Sequence, residues 1–484
     1  MTNQYNRRNL LKTGAAALVG AASQPFTGIP ALAAYAAGPT VRRNAFTMAT
    51  SDPILVGYRK AITAMKALAT NNPCSWTYQA AIHGTTLTPV QTAWNTCHID
   101  ARFFWSWHRM YLYWFERIIR KYSGMYDWAI PYWDWANPAQ RQLPPAFRVV
   151  GSELYDASRN AAINDGTGSL STSLGTSVTN AYLLLDFYNT QSAINGPHGS
   201  VHGAVSGNMC CVITAAQDPI FWLHHSNVDR QWNLWLAQGG GRSNPLSDAD
   251  WKNTPFTFFD ECCKQVTMKG CEVLRAAKQL SYTYEGEPAQ VEQYCPRIWN
   301  PKVIDIVAIA RFPRTFPLSK KRVNVPLAHS KAAETQAFRA RLTEVVRTSG
   351  LTAVLQVKGV EAETDPGAVW EVYVGPAGLK PDPKGPYFVG VLGLFGGGIK
   401  TRKDHYHPAD FAFPINKAVS AAGDASKLQV TFVPVSGVEV QGRAQPAQVR
   451  ADLTVAEVSI VVDVAMEQPP QLEQEKLRRE EQAG

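Results

Sequence analysis

Apolar residues recur at helical spacing from Asp52 to Ala69. They do so again from about Arg102 to Tyr122, where Phe103, Phe104, Trp107, Tyr111, Phe115, Ile118 and Ile119 fall on one stripe, so two amphipathic helices are predicted. Large apolar side chains at that spacing bury surface first, and these aromatics are assigned to core packing. The segment Ile130-Pro131-Tyr132-Trp133-Asp134-Trp135 breaks the period, and the Gly/Ser/Thr/Asn-rich 164–180 stretch reads as a long surface loop. Helical spacing returns over 196–206 and 219–237. Beyond about residue 300 the period changes: Trp370 to Val374, Tyr387 to Phe395, Leu428 to Val433 and Val455 to Val464 are short β-branched runs separated by Gly, Pro and Asp. The expected fold class is therefore a mainly α domain over 35–300 followed by an antiparallel β-sandwich or jelly roll over 346–466. Residues 301–345, punctuated by Pro301, Pro313, Pro317 and Pro326, read as a linker, and the polar 467–484 stretch as a frayed tail.

Composition supports two packed domains. A chain of 484 residues outgrows one ordinary core. Its 45% hydrophobic and 11% aromatic content lies far from that of disordered chains. The formal charge of +8 is spread out, with no long Lys/Arg run, so nucleic acid is not an expected partner. Asn6-Arg7-Arg8-Asn9-Leu10-Leu11-Lys12, a weakly apolar stretch and Ala31-Leu32-Ala33-Ala34 read as a twin-arginine export signal over 1–34. That route carries a protein already folded, with any metal loaded, to the periplasm or beyond. No other stretch approaches 18 consecutive apolar residues, so the mature form is not expected to enter a membrane. Eight cysteines lie at 74, 97, 210, 211, 262, 263, 271 and 295, and an oxidising destination makes disulfides plausible. Their connectivity is not legible, and nothing in the sequence explains the adjacent pairs Cys210-Cys211 and Cys262-Cys263.

The histidines bring the chemistry. Of ten, seven fall in the helical half, at 83, 98, 108, 198, 202, 224 and 225. His198 and His202, four apart, share one helix face, the spacing by which two ligands from one helix meet one ion. Alone, such a pair also fits two solvated histidines. His224 and His225 project about 100° apart, so one of the two is expected as a ligand, and His225 shares its face with Asp229. An Asp there can orient a ring by hydrogen bonding. His405 and His407 are read as solvated.

The segment Asp218-Pro-Ile-Phe-Trp-Leu-His-His-Ser-Asn-Val-Asp-Arg230, the His198-Gly-Ser-Val-His202 pair and Trp107-His108-Arg109-Met110-Tyr111-Leu112 resemble the type-3 copper proteins: tyrosinases, catechol oxidases (polyphenol oxidases) and molluscan haemocyanins. The likeness runs from about Arg42 to Tyr284, and the β half is similar to the domain that covers the site in latent members. The resemblance implies a four-helix bundle holding two copper ions. The first takes His83, His98 and His108, the second His198, His202 and His225, with His224 as a neighbour. Neutral imidazoles suit copper, and three per metal leave an open face for dioxygen. An exported, bacterial-type, latent polyphenol oxidase follows, in which copper oxidises phenolic small molecules with O2, turning o-diphenols into o-quinones.

Departures from the family bear on the substrate. Cys97 directly precedes His98, where relatives often place a thioether-forming Cys two residues before that ligand, so the resemblance does not extend to a thioether and the sequence leaves a cross-link at Cys97 open. The position that holds a Glu in relatives is Ile194, and Gly199 stands where efficient monophenol hydroxylases have Asn. Catechol oxidation is thus expected to dominate, although Val212, at the position that gates the first copper, is small and leaves entry open. Phe221 is placed under the substrate ring by resemblance and reads equally well as core. Tyr282-x-Tyr284 resembles the family's marker ending the copper domain and is expected to pack between domains. Rival readings are a full tyrosinase or o-aminophenol oxidase, and a haemocyanin-like oxygen carrier or copper store.

Overall fold

The helical half forms where capping and apolar spacing coincide. The computed structural model describes residues 38–97, 99–296, 308–400, 407–423, 428–466 and 469–483, so the expected export signal and His98 lie outside the described residues. Helix α1 (Pro53–Lys66) begins with Pro at its first turn and the Asp52 carboxylate accepting from Ile54 N. In α2 (Trp76–His83) the Ser75 hydroxyl accepts from Tyr78 N. Helix α3 (Phe104–Ser123) stops at Gly124, whose φ of 75° suits a glycine at a helix end. Two more long helices, α5 (Phe187–Val205) and α6 (Ile220–Ala237), complete the set that carries histidines.

The expected 164–180 loop is instead partly ordered, as strand β2 (Gly168–Leu170) and helix α4 (Thr172–Ala181). Its Ser and Thr residues hid a buried face, on which Leu174, Val178 and Ala181 pack inward and the Ser177 hydroxyl accepts from Val391 N. On that face the polar composition reflects contact with the β half, while Asp165, Thr167 and Thr179 face water.

In the β half, two antiparallel sheets share one core. The first runs β9 (Phe388–Leu392), β8 (Val369–Pro376), β11 (Leu428–Val435), β6 (Val323–Pro326). The second runs β4 (Ala308–Phe312), β14 (Glu457–Asp463), β7 (Thr352–Ala362), β13 (Leu453–Val455), β5 (Phe316–Leu318), with β10 (Ala409–Pro414) also on β7. Trp370, Val372 and Phe432 from one sheet and Leu355, Val357 and Ile460 from the other fill the space between. Much of the expected 301–345 linker therefore belongs to this half: β4, β5, β6 and α7 (Ala332–Arg347) all lie in it. Pro317 and Pro326 misled because they sit on edge strands, where a missing N–H costs no ladder bond.

Strand pairing joins the halves. Residues Val438–Val440 (β12) pair antiparallel with β2, and Glu439 receives Arg141 Nη1 at 2.9 Å and Thr172 N at 2.8 Å. The Asp463 carboxylate accepts from Asn189 Nδ2 at 2.8 Å. The tail expected to fray carries α8 (Gln471–Ala483), held where Gln474 bonds Tyr294 and Glu481 pairs with Arg275. Among the described residues no helix is long and apolar enough to cross a membrane.

Candidate metal centre

Four helices converge on one buried cluster of imidazoles. His83 ends α2, His108 lies on the first turns of α3, His198 and His202 share a face of α5, and His224 and His225 lie on α6. All six are buried to within 1% of full exclusion from solvent. Their nitrogens fall into two overlapping groups that could each hold an ion: His83, His108 and His225, and His198, His202, His224 and His225. Both groups consist of imidazole alone among the described residues.

Backbone carbonyls decide which nitrogen faces inward. His83 Nδ1 donates to Val212 O at 2.9 Å, His108 Nδ1 to Phe104 O at 2.7 Å, and His202 Nδ1 to Met209 O at 2.8 Å. His198 Nδ1 meets Asn195 Oδ1 at 3.0 Å. An acceptor on Nδ1 fixes that tautomer and leaves the Nε2 lone pair for a metal. The Nε2 atoms of His202 and His225 face each other at 3.3 Å, and His198 Nε2 is buried without a hydrogen-bond partner. Buried nitrogens so arranged are costly unless a proton or cation lies among them. The donor set therefore fits copper, whose preference for imidazole is general.

Burial disfavours a proton in that role. Desolvation, reinforced by the neighbouring imidazoles, pushes His198, His202, His224 and His225 well below the ordinary histidine value, and His108 down to about 3. Such groups bind fewer protons in the folded than in the unfolded chain. Their contribution to stability is complete above about 6.5 and is lost as pH falls through the depressed folded values. The melting temperature of the metal-free chain is expected to drop progressively below pH 6.5, and a flat profile down to pH 4 would contradict this account of the site.

Aromatic rings wall the cluster. Phe221 lies 4.3 Å from the His225 ring and 4.8 Å from that of His83. Phe104 is 4.8 Å from His198. His224 stacks on His198 at 5.1 Å and sits beside Trp135. Cys97 is a buried free thiol whose Sγ is 3.3 Å from His108 Nε2.

The remaining wall comes from the β half. Phe395, at the tip that follows β9, stacks on His202 with centroids 3.5 Å apart and planes at 9°. Gly396 and Gly398, at φ of 83° and 80°, allow the tight turn that presents it. Gly199 has a role that the family comparison did not suggest. A Cβ there would stand 2.6 Å from Gly393 O and 3.3 Å from Phe395 Cβ, so its absence lets the tip approach α5. Ile194 is fully buried on the same helix, and Val212 acts through its carbonyl on His83. His407 is partly exposed with Nδ1 near its neighbour's carbonyl, and His405 lies outside the described residues.

Asp229 orients arginines and tyrosines rather than a ring. Its carboxylate meets Arg42 and Arg109 and accepts from the hydroxyls of Tyr282 and Tyr284, each at 2.6 Å. Burial alone would raise this carboxyl, but Arg109 and Arg42 hold it below the usual range. The two tyrosines, expected between domains, lie on β3 (Tyr282–Tyr284), which pairs with β1 (Thr40–Arg42) within the helical half. Asp229→Ala leaves two buried guanidinium groups short of a partner and is expected to destabilise the chain by about 3–5 kcal/mol, read by chemical denaturation.

Comparison with known proteins agrees with this construction. Residues 73–181 and 158–238 match the common central domain of tyrosinase, and 245–296 match the polyphenol oxidase middle domain. Over 296 residues the chain is 33% identical to a tyrosinase of Hahella sp. (strain CCB-MM4), covering 50% of this chain and 62% of that protein. Over 462 residues it is 27% identical to a chloroplastic polyphenol oxidase of Vitis vinifera, covering 83% and 74%. Latent apple tyrosinase superposes with a TM-score of 0.61 at 23% identity, covering 88% of this chain and 98% of that one, a likeness of fold. Within the helical half the chain thus resembles two successive domains found in tyrosinases and polyphenol oxidases, and it spans less than two thirds of the Hahella protein's length.

Proposed function

We propose that this chain is an exported, latent polyphenol oxidase that oxidises o-diphenols to o-quinones with O2. Copper is held by His83, His98 and His108 at one position and by His198, His202 and His225 at the other. The reading rests above all on the buried imidazoles whose Nδ1 atoms are anchored on carbonyls and whose Nε2 atoms converge. The copper pair, when bound, supplies the electron transfer between phenol and dioxygen.

The chain's own residues choose the substrate. Phe221, edge-on to His83 and tilted against His225, gives a phenol ring an apolar floor. Ile194 and Gly199 offer no carboxylate or amide to take the proton of a simple phenol, whose pKa near 10 makes that help matter. General-base assistance is typically worth about 10²–10⁴-fold. A catechol needs no ring hydroxylation and so suffers less from that lack.

Latency follows from Phe395, whose ring occupies the space over His202 where a substrate would approach. The test is a rate comparison on copper-loaded protein after the β half has been displaced by limited proteolysis. Catechol oxidation exceeding that of the matching monophenol by at least about 10²-fold is expected, and equal rates would overturn the specificity.

A further inference from the structure

Cys210 and Cys211, the adjacent pair left unexplained by the sequence, are joined to each other by a disulfide. The residue on either side of the pair holds a histidine of the metal centre. Before it, Met209 O accepts from His202 Nδ1 at 2.8 Å; after it, Val212 O accepts from His83 Nδ1 at 2.9 Å. Four consecutive residues therefore set the tautomer and ring direction of one imidazole in each of the two groups.

We propose that the Cys210–Cys211 disulfide is a positioning element for both metal sites, and that its reduction by a dithiol loosens them together. The inference rests on the metal-centre reading given above. No long element holds this stretch. It enters through Ser206, a non-glycine residue with φ 62° and ψ −162°, a conformation that persists only where the surroundings enforce it. Asn208 is pinned by Ser158 Oγ at 3.0 Å and Asp156 Oδ2 at 2.7 Å, and Thr214 Oγ1 returns to Asn208 O at 2.8 Å. Inside that bracket the covalent ring of the adjacent cysteines removes the remaining torsional freedom between carbonyls 209 and 212. Displacement at 212 is felt at once by α2, because a Cβ on Gly84 would lie 2.7 Å from Val212 O.

The bond is also within reach. Cys210 and Cys211 are partly exposed, and Cys210 lines a cavity of about 340 Å³ between α5 and the β half, together with Gly199, Gly203, Asp365 and Arg450. In the exchange, one thiolate of the dithiol attacks a cysteine sulfur and opens the bond. The reagent's second thiol then closes its own disulfide, and two electrons and two protons end on Cys210 and Cys211 as thiols.

The test uses the full-length chain loaded with copper. Mass spectrometry of alkylated digests maps the bond, and competition with a Cu(I) chelator reads affinity before and after graded dithiothreitol treatment, with released thiols capped by iodoacetamide. The same competition is run on Cys210→Ser/Cys211→Ser and on Cys271→Ser/Cys295→Ser, which opens the separate Cys271–Cys295 disulfide. Copper affinity about 10–100-fold weaker in the first variant, at a metal-free melting temperature equal to that of the second, is expected. Graded reduction of the native chain provides the same comparison should the first variant not fold. Alkylation of Cys210 and Cys211 without reductant, or equal affinity in the two variants and in reduced wild type, overturns the inference. Uptake of fewer than two coppers by the untreated wild type overturns the metal-centre reading itself, and this inference with it.

Discussion

Phe395→Ala in the intact chain is expected to raise catechol oxidation at least about tenfold. The ring is 4% exposed, stacks on His202 at 3.5 Å and lies 5.5 Å from His198 and 6.1 Å from His83. Burying a phenylalanine is worth roughly 1.5–3 kcal/mol and an aromatic pair a further ~0.5–1.5, whereas about 1.4 kcal/mol is already a factor of ten. A substrate must compete with that seat, and alanine vacates most of it while leaving the β12–β2 pairing that joins the halves. The check is kcat/KM for catechol in the two copper-loaded proteins, without protease. Equal values would show that the tip does not obstruct the site.

Loss of His225 is the second large effect. Among the described residues it alone belongs to both imidazole groups, lying 4.0 Å from His108, stacked, and with Nε2 facing that of His202. His225→Ala should lower copper affinity by well over the roughly 10–100-fold cost of losing a supporting hydrogen bond, and oxidation should fall with it. His224→Ala separates ligand from neighbour: the chain is expected to keep two coppers, with His198 merely losing a stacking partner. If His224→Ala sheds copper and His225→Ala retains it, their roles are exchanged.

Much of the helical half was legible because its periodicity comes from burial. The stripes over 52–69 and 102–122 became α1 and α3, and 219–237 became α6. The β-branched runs at 370–374 and 428–433 likewise became neighbouring strands. The failures share a cause, which is contact between distant segments. Ser171, Ser173 and Ser177 looked solvated because nothing local shows that β9 and β12 cover them, and edge-strand prolines imitated a linker. At the site, the ring-bearing residues could be named but their supports could not. Asn195, three before His198 on the same helix, carried a faint signal in that spacing. Phe395, one aromatic in the glycine-rich Gly393-Leu-Phe-Gly-Gly-Gly398 stretch, carried another. The carbonyls of Phe104, Met209 and Val212 carried none, since every residue has one.

Quantifying copper per chain in the reconstituted, desalted full-length protein bears most directly on the paired metal centre. Two coppers per chain, falling in His225→Ala, is the expected result. One copper or none in the wild type, or two in the variant at undiminished affinity, would contradict it.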